Sequence, residues 1–452
     1  MGSPRFNLQK QITHLGFVID SETYTVSLPK EKVNKLKRVC NDLLNARYVT
    51  IRQFAKGIGL LVSSFLAVNY AKLHTRYFEI YKTEQLKPLH DFDKKIYLSR
   101  RIRSELEWWV ENITTHNGRS ISDILGIDNW HYEVYSDTST LGWGAALFLN
   151  SQVLQRTGGR CSTREKTQHI NYLELKAIHF ALLAFKASIR NSNVRLNCDN
   201  TTAISYINKF GGCRNVSLNH LSWKIWIWCI DNKVSINAVH IPGLDNQIAD
   251  TMSRKFSDNI EWSLDINIFD RLCQTFGTPQ IDLFASRLNK KLSHYFSWRP
   301  DPFCCGVNAF AHTWDNIYGY AFPPFNQISK ILYKLTQHLS CTIILLCPFW
   351  PSQPWFPSLP SFLVDLPLLL PSSSTLLRNP GNPEAVHPLL PQMKLVAFKL
   401  SANSYLQINF RQKLSRSCSP VGRQTHKRTM HQSSVNGCHF VVNETMIPVH
   451  HL

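Results

Sequence analysis

The 12 cysteines include no C-x-x-C pair. That excludes a zinc ribbon and gives no disulfide framework, and scattered free thiols fit a reducing compartment. No stretch of about 20 apolar residues free of charge and proline occurs, so a membrane-spanning helix is not expected. The opening MGSPRFNLQKQ lacks the apolar core of a secretory signal, so an intracellular place, cytoplasm or nucleus, is expected. Internal repeats are absent. Acid is scarce: 31 Asp and Glu stand against 50 Lys and Arg, leaving +19. Such a balance suits a polyanionic partner, nucleic acid above all, because phosphate neutralisation releases counterions; a merely solvated basic surface is the other reading. Residues 1–110 carry +9 and residues 371–452 carry +7, so a single basic tail does not account for the charge.

The 452 residues make two to four folding units at roughly 100–200 residues each. With 44% hydrophobic and 12% aromatic residues the chain has material for real cores. ITHLGFVID and TYTVSLP read as short strands around a turn at Asp20-Ser21-Glu22. Val33, Leu36, Val39, Leu43 and Leu44 have helical spacing, and Thr50 with Gln53 reads as a capping box opening a second helix. A third helix is predicted over 94–112. Residues 131–255 change character, in the order β-β-α-β-α-α-β-α: strands YEVYSD, WGAALFL, VRLNCD and VSINAVHI, with helices over 171–189, at TTAISYINKF, at LSWKIWIWCI and from Asp245 onward. The tryptophans of LSWKIWIWCI are read as core before a base-stacking platform. Residues 257–365 are rich in aromatics and proline. Residues 366–452 are basic, show little periodicity and are expected to be poorly ordered.

Four acids of the middle block stand out. Asp137 and Asp199 end strands, where α/β sheets open their ligand crevice, although each alone could be a turn or cap residue. Glu174 shares a helix face with Ala177, Ile178, Ala181 and Phe185, so it is expected buried, and a buried carboxylate is costly unless a metal or proton neutralises it. Asp250 and Asn246 are four apart on one helix face, with Asp245 as its predicted N-cap, and His240 closes the strand before them. Hard oxygen donors without cysteine suit Mg²⁺ or Mn²⁺, and two such ions about 4 Å apart can drive phosphodiester hydrolysis. Asp137, Glu174, Asp199 and Asp250 are the predicted metal ligands, with His240 as proton shuttle or, alternatively, a packed strand histidine. Gly142 and Gly144 are read as letting a strand start close to a substrate backbone, or as an ordinary hairpin turn.

In order, YSDTSTLGWGAAL, NYLELKAI, NCDNTTAI and HIPGLDNQIADTMSR resemble the four catalytic blocks of ribonuclease H type 1. The resemblance covers 130–256 and implies a mixed five-stranded sheet with flanking helices. It implies metal-binding carboxylates at Asp137, Glu174, Asp199 and Asp250, the mobile histidine at His240, and contacts to an RNA–DNA hybrid at Asn246, Gly142 and Asn200. The front block, 1–115, is similar to the thumb and connection of retrotransposon reverse transcriptases, closest to the DIRS type, but no Y-x-D-D-like palm sequence occurs. DNA synthesis by this chain alone is therefore not expected, and a piece of a longer polyprotein is. The 257–365 block resembles the region downstream of ribonuclease H in those elements and, remotely, adenine methyltransferases. Phe322-Pro323-Pro324-Phe325 puts Phe322 where that family needs a hydrogen-bonding acid or amide, so a structural platform is the stronger expectation. The reading is a metal-dependent ribonuclease on hybrids. The alternative is a decayed, nucleic-acid-binding remnant.

Overall fold

The computed structural model describes residues 10–87, 90–125, 129–256, 261–414, 439–442 and 445–452. The N-terminal nine residues and 415–438, the middle of the basic tail, lie outside the described residues.

The front block starts with an antiparallel meander, β1 (Gln11–His14), β2 (Phe17–Asp20) and β3 (Thr25–Ser27). Four helices follow: α1 (Lys30–Asn45), α2 (Ile51–Val62), α3 (Arg76–Leu86) and α4 (Arg100–Asn112). On α1 the buried residues Val33, Leu36, Cys40 and Leu43 recur every three or four positions. The predicted capping box forms at α2: Gln53 N donates to Thr50 Oγ1 at 3.1 Å and Thr50 N to Gln53 Oε1 at 2.8 Å. α4 begins six residues later than predicted because Lys95–Ile96 pairs as a short strand with Val49–Thr50, leaving Ser99 as the cap.

The middle block is a mixed five-stranded sheet. Its strands are β4 (Tyr132–Thr138), β5 (Gly142–Leu149), β6 (Gln152–Arg160), β7 (Asn193–Cys198) and β8 (Ser235–His240), ordered β8-β7-β4-β5-β6. β8, β7 and β4 run parallel, and β5 and β6 are antiparallel additions. Helices α5 (Ile170–Ala184), α6 (Thr201–Asn208), α7 (Val216–Asn232) and α8 (Gln247–Arg254) flank it. The core joins Val134, Leu147 and Leu196 of the sheet to Leu175, Ile178 and Leu182 of α5 and Ile225 of α7. β6 is an addition to the sequence reading. It is an edge strand, exposed over Gln152–Leu154 and with two glycines before its last residue, so it lacks the alternation that marks a half-buried strand.

The last block holds α9 (Ile266–Phe276), β9 (Ile281–Asp282), β10 (Tyr318–Ala321), α10 (Ile328–Thr336), β11 (Thr342–Pro348), β12 (Leu368–Leu369), β13 (Leu395–Ser401), α11 (Ser404–Gln412) and β14 (His450–His451). The strands form one sheet ordered β9-β10-β11-β13-β12-β14. Alternate residues of β11 enter two cores, Ile343, Leu345 and Cys347 on one face and Ile344 and Leu346 on the other. Over 366–414 this corrects the expectation of a poorly ordered segment. β13 pairs with β11 along its whole length, so a boundary at 365 would cut through a sheet. A strand buried on both faces shows no alternation to flag it: in LVAFKLS every residue except Lys399 is buried.

Both flanking blocks pack on the middle one. The Arg101 guanidinium lies 4.3 Å from the Tyr77 ring centroid and 4.2 Å from that of Trp223 on α7. Trp226 of the same helix is buried in the core, and Trp223 and Trp228 pack against that core half-buried. On the other side Arg287 makes paired 3.0 Å contacts to the Glu165 carboxylate and lies over the Phe180 ring at 4.4 Å. Among the described residues no helix is long and apolar enough to cross a membrane.

Candidate metal centre

Parallel strands deliver side chains to a common carboxyl edge, and the site is built there. Asp137 is the second-last residue of β4 and pairs with Gly144 of β5. A Cβ on Gly144 would stand 2.1 Å from Ala249 O and 2.5 Å from Ser253 N, both backbone atoms of α8. Only glycine allows α8 to lie this close. The contact brings the Ser253 hydroxyl onto Asp137, where it donates to Oδ2 at 2.8 Å.

Glu174 sits in the second turn of α5, between the buried Leu173 and Leu175. It is 5% exposed, and its Oε2 has no hydrogen-bond partner among the described residues. Asp199 is the first residue beyond β7 and is exposed. One carboxylate oxygen from each of Asp137, Glu174 and Asp199 lies within 4.8 Å of the other two. The electrostatics follow from that crowding. Burial first, then the charges of Asp137 and Asp199, push Glu174 up to about 9. Burial likewise lifts Asp137 to about 6, opposed by the Ser253 hydroxyl and helped by Asp199 and Asp250. Three hard oxygen donors, with Glu174 Oε2 buried without a partner and Glu174 and Asp137 both held toward the neutral form, fit a divalent cation.

The other sequence-predicted residues lie differently. Asp250 is outside the cluster. Its Oδ1 accepts from Arg254 Nε at 2.6 Å, because a residue at i+4 shares its helix face, and it reaches Asp137 only as a nearby charge. His240 is exposed and lies opposite Cys198 in the β7–β8 register, one residue from Asp199.

No protein-family model matches the chain. It is 23% identical over 177 residues to the enzymatic polyprotein of cauliflower mosaic virus strain D/H, a match covering 35% of this chain and 26% of that protein. The Strasbourg strain's polyprotein matches at the same identity, with 25% of it covered. The chain thus spans about a quarter of the length of these curated relatives. Among solved structures it is similar to LC11-RNase H1 in complex with RNA/DNA hybrid, at 16% identity and a TM-score of 0.24, covering 27% of this chain and 92% of that one. It is also similar to the foamy viral protease-reverse transcriptase in complex with RNA/DNA hybrid, at 15% identity and a TM-score of 0.21, covering 57% of this chain and 32% of that one.

The three expected substrate contacts all engage the chain itself. Asn246 is 2% exposed and its amide donates to the Ser136 carbonyl at 2.9 Å, tying α8 to β4. It also stands at the N-cap of α8, where Asp245 was expected, and makes no side-chain cap bond. Gly142 is closed over by its own chain: a Cβ there would meet the Phe256 ring at 2.3 Å and Gly159 O at 2.4 Å. Asn200 caps α6 through Ala203 N at 2.9 Å and donates to Asn171 Oδ1 at 3.0 Å. Sequence reasoning missed Ser253, whose one signal was its place three residues after Asp250. It also missed Ser139, whose hydroxyl donates to Ser253 O at 2.8 Å and fixes that turn of α8.

Proposed function

We propose that this chain is a divalent-metal-dependent endonuclease that cuts the RNA strand of RNA–DNA hybrids, as the ribonuclease H type 1 part of a retrotransposon reverse transcriptase polyprotein. One observation carries the reading: three carboxylates remote in sequence converge at the carboxyl edge of a mixed five-stranded sheet. The similarity to a viral enzymatic polyprotein and the net charge of +19 support it.

Asp137, Glu174 and Asp199 would hold the cation, and a bound divalent ion supplies the Lewis acidity for phosphodiester hydrolysis. In that hydrolysis the water oxygen bonds to phosphorus and the bond from phosphorus to the ribose 3′-oxygen breaks. The products are a 3′-hydroxyl and a 5′-phosphate. Ser253 holds Asp137 in place through its 2.8 Å hydrogen bond. Asp250, once it leaves Arg254, adds a fourth carboxylate. His240, exposed at the rim, passes a proton to the leaving oxygen. RNA is distinguished by its 2′-hydroxyls, the basic thumb-like front block holds the duplex, and the place of action is intracellular. The last block serves as a platform; Phe322 offers no hydrogen-bond acceptor for an adenine amine, so methyl transfer is not part of the reading.

A labelled hybrid incubated with and without Mg²⁺ tests it. Cleavage should need the ion, and Asp137→Asn should abolish cleavage while hybrid binding persists. Cleavage that survives in Asp137→Asn refutes the site. The ion pair that keeps Asp250 apart favours the alternative of a binding-only remnant; hybrid binding with no cleavage at any Mg²⁺ or Mn²⁺ concentration would establish that alternative.

A further inference from the structure

Cations crowd a second place on α5. Lys176 stands about 200° round that helix from Glu174, so it faces away from the carboxylates. Its ammonium lies 4.6 Å from the centroid of the Phe180 ring, and the Arg287 guanidinium lies 4.4 Å from the same centroid. Phe180 is buried, and Lys176 itself is half-buried. A third cation, Lys224 of α7, acts on Lys176 from the neighbouring helix.

The acids here do not match the cations. Among the described residues Glu165 is the one acid whose charge acts on Lys176. That carboxylate is already held: it accepts from Ser162 N at 2.7 Å and from Arg287 through paired 3.0 Å contacts. Neither Lys176 nor Lys224 has a carboxylate in ion-pair range among the described residues. A ring face attracts an ammonium but leaves its charge uncancelled, and half-buried charge of one sign calls for a counter-ion. His179 supplies a second, independent observation. It is 8% exposed, and its Nδ1 has no hydrogen-bond partner among the described residues. Three residues after Lys176, it shares that residue's helix face. Burial first, then the charges of Lys176 and Lys224, push its imidazole down to about 3, so the ring is neutral and one nitrogen carries a proton to donate. Solvent serves Lys224, which is exposed, but not a nitrogen buried as His179 Nδ1 is. One oxyanion would satisfy both ammonium groups and the imidazole together.

We propose that Lys176, Lys224 and His179 form a phosphate-binding site between α5 and α7, with the two ammonium groups neutralising one phosphate group and His179 Nδ1–H donating to its oxygen. Lysine binds phosphate as a point charge and needs no fixed fork geometry, which suits two ammonium groups on different helices. The net charge of +19 makes phosphate the expected anion. The group belongs either to a nucleic-acid backbone or to free inorganic phosphate. The proposal is independent of the nuclease reading.

The test uses the full chain in EDTA at neutral pH, so that a metal-dependent activity stays silent. Inorganic phosphate and a single-stranded dodecamer are titrated by calorimetry, and the ring nitrogens of His179 are followed by NMR. Lys176→Gln and Lys224→Gln should each weaken binding about tenfold, the size of one charge-assisted hydrogen bond. Lys186→Gln, which removes the same charge from an exposed position just beyond α5, should leave it unchanged. Melting curves establish that each variant folds. The His179 Nδ1 resonance should move as either probe saturates the parent, and should stay in place in Lys176→Gln at the same concentration. A salt dependence of dodecamer binding whose log–log slope falls by about 0.7 for each lysine removed assigns a backbone phosphate. Lysine-dependent binding of inorganic phosphate, with dodecamer binding unchanged, assigns a free phosphate. Equal effects of Lys176→Gln and Lys186→Gln on both probes, or a His179 resonance that neither probe moves, would overturn the proposal.

Discussion

Glu174 makes the metal-free protein weaker as pH rises, and replacing it should strengthen the apoprotein. The folded chain raises this carboxyl from its ordinary 4.5 to about 9. Between those values the folded state keeps a proton that the unfolded state has released, so stability falls as pH increases. It is full below about 4.5 and lost progressively up to about 9. At about 1.4 kcal/mol per tenfold the complete linkage is about 6 kcal/mol. Water drawn toward the cluster as charge develops should leave roughly half, about 3 kcal/mol, for a side chain that is 5% exposed. Asp137, lifted to about 6, adds a smaller loss between about pH 4 and 6. Glu174→Gln keeps the shape and cannot ionise, so in EDTA at pH 8 it should be more stable than the parent by about 3 kcal/mol, and near pH 5 by almost nothing. Mg²⁺ should reverse the order, since the ion stabilises only the form that binds it. Urea melts from pH 5 to 8.5, with EDTA and with Mg²⁺, measure this. Parallel pH profiles for the two proteins in EDTA would refute the claim that these carboxylates crowd one buried space.

Ser253→Ala removes the hydroxyl that Asp137 Oδ2 accepts from; the Asp137 pKa should rise above its present value, seen by carboxyl NMR titration, and stability should fall by about 1–2 kcal/mol. Gly144→Ala forces a Cβ against the α8 backbone, so a loss of about 3 kcal/mol, the upper part of the overpacking range, is expected in urea melts. Arg287→Ala strands the Glu165 carboxylate, both side chains being under 15% exposed; chemical denaturation should show a cost of about 3 kcal/mol. Arg254→Ala releases Asp250 from its ion pair and should lower the Ca²⁺ concentration needed for half-saturation in calorimetry, where cleavage plays no part.

Local signals were legible and long-range ones were not. The Thr50–Gln53 capping box is a four-residue device and forms as written. The burial of Glu174 follows from helical period alone, because its face is apolar for three turns. β6 escaped because an exposed edge strand needs no alternation, and β13 because a strand buried on both faces shows none. The site divides the same way. Asp137, Glu174 and Asp199 hang on strand ends and a core-facing helix, features visible in sequence. The position of Asp250 is decided by Arg254, a competition between an ion pair and the cluster that no spacing rule weighs. Asn246 and Gly142 carry the residue types of a substrate surface, yet in the fold both serve contacts within the chain.

Those internal contacts are what give the carboxylates their chemistry. α8 lies on β5 and β6 because Gly144 and Gly158 leave room: a Cβ on Gly158 would stand 2.5 Å from Met252 O. Asn246 anchors the same helix to the Ser136 carbonyl, the residue before Asp137. Ser139, two residues after Asp137, holds it at Ser253 O. The helix is thus fastened on both sides of Asp137, and the Ser253 hydroxyl has little freedom to leave Oδ2. Ionisation of Asp137 then depends on backbone packing, because any change that lifts α8 from the sheet withdraws the one hydrogen bond opposing its burial. A substitution at Gly158, which bears no functional group, should therefore shift the Asp137 titration upward before it unfolds the sheet.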